Sequence, residues 1–424
     1  MKFSKWIAVV AVCALALVAT DSGFAKDKKA NEYPNATRQE PKLDMSASDQ
    51  RNLNKAADLV NDNKSAEAQP LVSKVLDEGK ASKYAQSFAH ELQGQIYYDQ
   101  DKGDQAIAEY QKAIAADGLP NAQHFSVMYM IAQLQLQGEK YKEALASAEQ
   151  WEKASGTQTA DELALKANAY YRLDQYQQAV DTIKKALAMT TEPKDSWTQI
   201  LMGSYFALNQ YDEAAAVVQQ QLAKNPTDKK LINQLATIYI QGNKDQQALD
   251  VLAKAKSQGL ITTSDDYVKI AKLYASANKP KEAAATLQEG FAKGIVEKSF
   301  DNYKLEGDVC TQAEDDACAI AAYTKASPGA KDGNLDYHLG YELFYSDKSK
   351  EAVDALTRAI SKGGLRQEGE AYLLRGDAEE YIDNHTAALA DWHKAASYAS
   401  TKTMAEQRIK AVKGGHKLSR PAKK

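Results

Sequence analysis

The histidines of this chain are not spaced as metal ligands. Neither an HExxH pattern nor a cluster of His and Cys occurs, although metal ligands commonly stand at such short, fixed intervals. His385 and His393 are the closest pair, but they are eight residues apart, at the start and the middle of one predicted helix. We therefore predict no metal site and no cofactor, and surface positions for the six histidines.

Signatures of other catalytic sites are also missing from the sequence. There is no GxxxxGK[ST] phosphate-binding loop, and no strand pattern that could carry a nucleophile elbow. The 57 Asp and Glu residues are explained by solvated helix faces. A glycan-processing enzyme would need an acid and a base in one groove, for which Glu91, Asp308 and Glu380 are the candidates. We predict that the chain is not an enzyme.

An alanine that recurs every 33 to 38 residues marks an internal repeat from about residue 49 onwards. Each of these marker alanines opens the second of two amphipathic helices, which a short polar turn separates. The ten marker alanines are Ala68, Ala106, Ala144, Ala179, Ala214, Ala248, Ala283, Ala319, Ala352 and Ala388. Twelve positions earlier, in the first helix, stands a mostly small residue: Ala56, Gly94, Ala132, Ala167, Met202, Ala236, Ala271, Gly307, Gly340 or Gly376.

Small residues at both positions let two antiparallel helices approach closely. One such hairpin cannot bury its apolar stripe alone, so hairpins must stack on one another. At these positions the sequence resembles the tetratricopeptide repeat (TPR) family, over roughly residues 49–402 and about ten repeats. The resemblance implies an all-α fold, a TPR-type α-solenoid in which helix-turn-helix repeats build a right-handed superhelix.

Two details of the repeat region are predicted separately. In the third repeat we expect an extra residue before the turn, which makes Ala132 a forced match and puts Trp151 where a small residue is usual. After the last repeat, an amphipathic segment over residues 403–413 predicts a C-terminal helix that caps the final hairpin.

The resemblance also implies that the first helix of each repeat lines a concave groove that binds a peptide or protein segment. Tyrosine is abundant in the chain, with 23 copies against 8 of Phe, and it suits recognition because it offers contact area and a hydroxyl group. The predicted groove residues are Tyr98, Asn168, Tyr171, Arg172, Phe206, Asn233, Lys272, Tyr337, Tyr341, Phe344 and Tyr381. The alternative for many of them is packing between repeats.

Cys310 and Cys318 are predicted to form a disulfide. They fall on the last turn of one predicted helix and the first turn of the next, so we expect them to face each other across the hairpin turn. An oxidising compartment would favour the bond. The alternative is two buried thiols, because Cys310 stands where a packing tyrosine is usual.

The N-terminal 25 residues have the pattern of a secretory signal peptide. Lys2 and Lys5 precede an uncharged run over residues 6–19, and Gly23 and Ala25 supply small residues before the expected cleavage point. The run is shorter than the roughly 20 residues that span a bilayer. We predict cleavage after Ala25, export to the periplasm and no integral membrane span in the mature chain.

Composition and charge indicate a soluble protein with a basic end. The chain carries 53 Lys and Arg against 57 Asp and Glu, which argues against disordered and multi-span membrane classes. Residues 26–48 are polar and contain two prolines, which predicts a flexible leader. Residues 401–424 hold eight basic residues and one acidic residue, and we predict that residues 414–424 form a disordered basic tail. Nucleic acid is not expected as a partner of an exported, net-acidic chain.

These patterns predict a non-enzymatic periplasmic scaffold that binds a peptide or protein segment of the cell envelope. In its layout of signal, leader, degenerate repeats and basic end, the chain resembles exported bacterial TPR proteins encoded with the TonB–ExbB–ExbD machinery. That resemblance implies an accessory role in TonB-dependent transport. The alternative is a periplasmic chaperone or assembly factor for outer-membrane proteins or exopolysaccharide.

Overall fold

The computed structural model describes residues 33–416, 418 and 423. Over these residues the chain forms 21 α-helices and one short 3-10 helix, with no strand in the described part. The predicted all-α fold of helix-turn-helix repeats is therefore confirmed. The predicted signal peptide, residues 1–25, and leader residues 26–32 lie outside the described residues.

Twenty of the helices form ten consecutive hairpins, and the last helix follows them. The helices are α1 (Ala47–Asn61), α2 (Ser65–Asp77), α3 (Lys83–Asp99), α4 (Gly103–Ala116), α5 (Asn121–Gln137), α6 (Tyr141–Ser155), α7 (Ala160–Arg172), α8 (Tyr176–Ala188), α9 (Asp195–Ala207), α10 (Tyr211–Lys224), α11 (Lys229–Gln241), α12 (Asp245–Ser257), α13 (Ser264–Ser276), α14 (Pro280–Ala292), α15 (Phe300–Gln312), α16 (Asp316–Ala326), α17 (Asn334–Tyr345), α18 (Ser349–Lys362), α19 (Glu368–Tyr381), α20 (His385–Ala395) and α21 (Lys402–Lys413). The 3-10 helix, Ser327–Gly329, follows α16.

The chain divides into two compact units, and the boundary between residues 217 and 218 falls within α10. Unit 1 contains α1 to α9, and unit 2 contains α11 to α21. Among α1 to α8 of unit 1 and α11 to α20 of unit 2, each first helix packs along the second helix of its own hairpin. Each second helix also packs on the helix that follows it, up to α9 in unit 1 and α21 in unit 2. None of the helices in the described ranges is both long and apolar enough to cross a lipid bilayer.

Glycine at the helix crossing makes room for a large side chain on the partner helix. A Cβ atom added to Gly94 in α3 would lie 2.6 Å from the ring of Tyr110 in α4, whereas carbon atoms normally pack at about 3.5–4.0 Å. The same close approach recurs in three later hairpins. The four pairs are Gly94–Tyr110, Gly307–Tyr323, Gly340–Leu356 and Gly376–Trp392.

Alanine at the crossing faces an aliphatic partner that is no larger than leucine. The partner position lies four residues after the marker alanine, and opposite a crossing alanine it holds Val72, Ala148, Ile183, Leu252 or Leu287. All five of these side chains are fully buried. The aromatic partners therefore stand opposite glycine and not opposite alanine, in keeping with the close packing of protein interiors.

The turn of every hairpin contains one non-glycine residue in the left-handed backbone region, five positions before the marker alanine. Eight of the ten are Asn or Asp, which tolerate this region better than other residues with a side chain. The ten residues, with φ between 55° and 63°, are Asn63, Asp101, Glu139, Asp174, Asn209, Asn243, Asn278, Glu314, Asp347 and Asp383. The register of turn and second helix is therefore the same in all ten hairpins.

The expectation of an extra residue before the third turn is wrong. Glu139 and Ala144 keep the common spacing, and Ala132 is fully buried at its crossing. The additional residues lengthen α5 at its beginning, because α5, like α3, has 17 residues where α7 has 13. Trp151 is accommodated in the interior, where its Nε1 donates a hydrogen bond of 2.9 Å to the carbonyl oxygen of Phe125.

Residues 33–46, before α1, pack on unit 1, although the sequence predicts a flexible leader. The ring of Tyr33 lies 4.7 Å from that of Phe125, centroid to centroid. Arg38 donates from Nε to Asp117, at 2.6 Å, and from Nη1 to Asn121, also at 2.6 Å. An aromatic anchor and a charge-assisted pair hold this segment although it has no regular secondary structure.

The leader also satisfies helix ends. α5 begins after Pro120, which provides no side-chain cap. The carboxylate of Glu40 accepts a hydrogen bond of 3.2 Å from the backbone N–H of Asn121 instead. A negative charge at this position also suits the positive end of the helix dipole.

The C-terminal helix packs on α20, so the predicted cap is confirmed. Ala405 is fully buried, and Ile409 and Val412 lie against the cluster around Trp392. Arg408 pairs with the buried Asp377, which also accepts a hydrogen bond from Trp392 Nε1. Beyond this helix, Leu418 and Lys423 make specific contacts with unit 2. The disorder of the tail over residues 414–424 stays a prediction.

The Gly94→Ala variant is expected to lose about 1–3 kcal/mol of unfolding free energy, because the ring of Tyr110 must leave its packed position. Gly103→Ala in the same hairpin is the matched control, since nothing lies within 4 Å of the added Cβ. The double variant Gly94→Ala/Tyr110→Val copies the Ala56–Val72 combination and should recover part of the loss. Chemical denaturation measures all three, and equal midpoints for Gly94→Ala and Gly103→Ala would contradict the packing argument.

Candidate binding surface

The first helices of neighbouring hairpins touch each other. In unit 1, α1 contacts α3, α5 contacts α7, and α7 contacts α9; in unit 2, α17 contacts α19. The outward side chains of these helices therefore form a face in each unit, which we call the first-helix face. The predicted groove residues all belong to first helices.

Three aromatic groove residues of unit 1 occupy the same place in their hairpins, eight positions before the marker alanine. Tyr98, Tyr171 and Phe206 are each half-buried. Tyr171 makes an edge-on contact with Tyr176, with ring centroids 5.6 Å apart, and Phe206 makes the same contact with Tyr211 at 5.5 Å. A second aromatic ring thus holds each of these two side chains in place and leaves part of it exposed.

Tyr171 also bridges two hairpins. A Cβ atom added to Gly203 on α9 would lie 3.2 Å from the Tyr171 ring, so this ring lies between α7 and α9. Asn168 is half-buried on the same helix, and Arg172 is exposed on its last turn. The structure therefore brings Tyr171, Asn168 and Arg172 together on one stretch of the first-helix face.

In unit 2, Asn233 and Lys272 stand apart from the aromatic groove residues along the chain. Lys272 is exposed on α13. Asn233 is half-buried on α11, and its Oδ1 has no hydrogen-bond partner among the described residues. This oxygen is enclosed by the protein, so it belongs to the interior of unit 2 and not to the accessible surface.

The remaining predicted groove residues cluster on α17 and α19. Tyr337 is half-buried and donates a hydrogen bond of 3.0 Å to Glu370. Tyr341 packs on Tyr345, with ring centroids 4.6 Å apart. These tyrosines keep part of their surface accessible on the first-helix face.

Phe344 is not a groove residue in this structure, because it is 0% exposed. Its ring lies 5.7 Å from that of Tyr381 and 5.1 Å from that of Tyr345, centroid to centroid. These neighbours place Phe344 in the core, although Tyr98 and Phe206 at the equivalent position are half-exposed. The repeat pattern does not predict this difference, because Tyr381, which encloses Phe344, belongs to the next hairpin.

The chain's own C-terminal residues also reach this face, which the sequence analysis missed. The Tyr381 hydroxyl donates a hydrogen bond of 3.1 Å to the Leu418 carbonyl oxygen. Lys423 forms ion pairs with Asp316 and Glu342. The one available signal was the contrast between a basic end and an acidic body.

The carboxylates that could serve an enzyme are not arranged as an acid–base pair in the described residues. Asp308 accepts hydrogen bonds from Lys304 and from the Tyr323 hydroxyl. Glu380 pairs with His385. Each has its own partner within unit 2, and no cluster of three His, Cys, Asp or Glu in the described ranges could hold a metal ion.

Glu91, the third carboxylate, lies in unit 1 on α3. Burial raises its pKa to about 8, because removal from water penalises the charged form. Its Oε2 atom has no hydrogen-bond partner among the described residues. Below that pH the side chain is therefore mainly a neutral acid inside the helical packing.

Cys310 and Cys318 are paired across the turn of the α15–α16 hairpin, with Cα atoms 5.7 Å apart. This separation lies within the usual range for disulfides. Cys310 is fully buried, whereas Cys318 is half-buried and accepts a hydrogen bond of 3.1 Å from Gln288. Whether the bond forms in the cell depends on the redox compartment, so the disulfide stays a prediction.

Tetratricopeptide repeat family models match the chain at residues 53–120 and 91–159, at 162–196 and at 205–259. These segments lie within the repeat region predicted from the sequence and support the TPR part of the resemblance. Among curated proteins, no sequence matches this chain.

Solved structures of repeat proteins resemble parts of the chain. A tetratricopeptide repeat protein from Parabacteroides merdae ATCC 43184 has 16% identity and a TM-score of 0.40, covering 62% of this chain and 99% of its own. YrrB, described as a TPR protein with an unusual peptide-binding site, has 19% identity and a TM-score of 0.38, covering 46% and 99%. Naa15/Naa10 bound to HypK-THB has 12% identity and a TM-score of 0.42, covering 85% and 65%. At these TM-scores the likenesses carry no argument about the site or its partner.

The Glu91→Gln variant is expected to stabilise the protein in a pH-dependent way. The folded-state pKa of Glu91, about 8, lies above its ordinary value of 4.5, so the folded parent loses stability as pH rises between these values. The gain in melting temperature should therefore be small near pH 4.5, grow with pH and level off above pH 8. Glu143→Gln, at an exposed position of α6, is the control, and a gain that does not change with pH would contradict the assignment.

Intact protein exported to an oxidising compartment is expected to carry the Cys310–Cys318 bond. Mass spectrometry without reductant should find no thiol available for alkylation, and reduction should expose both. The double variant Cys310→Ala/Cys318→Ala should be less stable than the oxidised parent by about 2–3 kcal/mol, because a short loop is no longer closed in the unfolded chain. Two alkylated thiols in the unreduced protein would exclude the disulfide.

Proposed function

We propose that this chain, built of tetratricopeptide repeats, is a non-enzymatic scaffold that binds an extended segment of another protein along its first-helix face. The observation that carries the proposal is the recurrence of partly exposed aromatic side chains at one position of the second, fourth and fifth hairpins, namely Tyr98, Tyr171 and Phe206. Rings at the same position of their hairpins present contacts that an extended segment can meet one after another.

The physical chemistry of these side chains supports binding in preference to catalysis. Aromatic rings held by neighbouring rings lose little conformational entropy when a partner covers them, and Tyr is enriched among the residues that dominate interface energies. Tyr171 is such a side chain, since Tyr176 and the Gly203 backbone position already restrict it.

We further propose that the scaffold works in the periplasm as an accessory of TonB-dependent transport. The signal-like sequence over residues 1–25 supports export, and a compartment outside the cytosol also suits the Cys310–Cys318 pair. The layout of leader, repeats and basic end supports the link to the TonB–ExbB–ExbD machinery. The partner would then be a protein of the cell envelope.

Site-specific photo-cross-linking in cells tests this proposal. Benzoylphenylalanine placed at Tyr171 or at Phe206 should capture an envelope protein, because these rings face the proposed partner. The same probe at Met189, an apolar side chain that is 50% exposed after α8, is the matched control and should capture little. In addition, Tyr171→Ala should weaken binding of the captured partner at least tenfold, in line with about 2 kcal/mol for an anchoring aromatic residue.

The identity of the cross-linked protein distinguishes the two functions under consideration. Components of the TonB system would support the accessory role. Unfolded outer-membrane proteins would overturn it in favour of a chaperone. Equal capture from Tyr171 and Met189, or retention of polysaccharide alone, would overturn the first-helix face as a protein-binding surface.

A further inference from the structure

Lys423, the penultimate residue, occupies a recess formed by two carboxylates of unit 2. Its Nζ contacts Asp316 at the beginning of α16 and lies 2.7 Å from Glu342 Oε2 on α17. Burial alone would lower the pKa of Lys423, but the bonds to Asp316 and Glu342 outweigh it and raise the pKa. The lysine is therefore bound in its charged form.

Glu342 gives the recess its requirement for a cation. Its residue surface is only 2% exposed, and its second oxygen, Oε1, accepts a hydrogen bond of 3.2 Å from the Thr311 hydroxyl. Lys423 is the cation that the described residues place on this carboxylate. A buried carboxylate that loses its partner cation is strongly unfavourable. The recess therefore favours an occupant whose side chain ends in a positively charged group, as that of lysine does.

A second contact fixes the main chain of the same tail. The Tyr381 hydroxyl on α19 donates a hydrogen bond of 3.1 Å to the carbonyl oxygen of Leu418. The Leu418 side chain packs against the cluster that contains Leu373 and Trp392. Two points of the tail, five residues apart in sequence, are thus held by groups of unit 2 in the manner of a bound peptide: a main-chain hydrogen bond with an apolar contact, and a charged end group in a recess.

We propose that α16, α17 and α19 carry a recognition site for a lysine-bearing basic peptide, and that the chain's own C-terminal segment is its resident ligand. This inference rests on the proposed function, because it takes the first-helix face of unit 2, together with Asp316 of the second helix α16, as the binding surface and names its occupant. In this site Asp316 and Glu342 bind the lysine side chain of the peptide, and the Tyr381 hydroxyl donates a hydrogen bond to a main-chain carbonyl oxygen of the peptide.

The geometry lets the resident ligand exchange. The side chains of Lys423 and Asp316 are 31% and 37% exposed, so water and a competing amine can reach the rim of the recess. A tethered tail has an effective concentration on the order of millimolar, so a competitor must bind more tightly than the tail does as a free peptide. An apolar or acidic competitor would leave Glu342 unpaired and is therefore disfavoured.

The test uses full-length protein and a labelled peptide of residues 415–424, GHKLSRPAKK. In the double variant Leu418→Ser/Lys423→Ala, the tail loses its apolar contact and its charged side chain, and the main-chain bond to Tyr381 alone should not hold it in the site. Fluorescence anisotropy should show that this variant binds the peptide at least tenfold more tightly than the parent, in which the resident tail competes. The same peptide with Lys423→Ala, and a scrambled peptide of equal charge, should bind at least tenfold more weakly than the native sequence.

Substitutions in the recess complete the test. Added to the vacated variant, Glu342→Gln should abolish peptide binding, and Asp316→Asn should weaken it severalfold. Asp316→Asn provides a second measurement on a partly exposed side chain, should Glu342→Gln fail to fold by circular dichroism. Asp354→Asn, which removes an exposed carboxylate of α18, is the matched control and should leave binding unchanged. Equal binding by parent and vacated proteins, or equal binding of native and scrambled peptides, would overturn the proposal.

Failure of this inference can be told apart from failure of the proposed function. If probes at Tyr171 and Phe206 capture an envelope protein but the vacated variant binds no tail peptide, the lysine site is refuted and the scaffold function stands. If the peptide binds as expected but no partner is captured, the lysine site stands and the scaffold function is refuted.

Discussion

Close approach of two helices within each hairpin is the constraint on which this structure depends. The crossing residue of the first helix faces one position of the second helix, and glycine there leaves room for Tyr110, Tyr323, Leu356 or Trp392. Because the hairpins hold this geometry, the next hairpin meets a surface of the same shape, and stacking can continue. The first-helix face is the product of that stacking: its aromatic side chains come into line only because every hairpin has the same register.

The periodic part of this architecture could be predicted from the sequence, because residues close together in the chain determine each hairpin. The marker alanines and crossing residues identified the hairpins, and even the third hairpin keeps the common spacing of Glu139 and Ala144. The error there came from assigning the additional residues to the turn, whereas they extend α5 at its beginning. The Asn or Asp five positions before most marker alanines was a further local signal, and it would have fixed the register.

The contacts that the sequence did not predict are those between distant, non-repeating segments. Tyr33 packs on Phe125, Lys423 reaches Glu342, and Phe344 is enclosed by rings that include Tyr381. None of these pairs repeats along the chain, so the repeat pattern cannot predict them. The low apolar content of both ends of the chain predicted flexible segments there. The binding face is affected most, since whether an aromatic side chain is exposed depends on what these segments cover.

The position of Glu40 at the beginning of α5 changes where the folded domain starts. Pro120 cannot cap that helix, and the carboxylate that does so comes from a segment 81 residues earlier. The first repeat is therefore not the first structural element of unit 1. A fragment trimmed to the repeats would keep every hairpin of that unit but would lack Glu40 and Tyr33, which contact the first helix of the third hairpin. A fragment for recombinant expression should therefore begin before Tyr33, outside the region that the repeat pattern delimits.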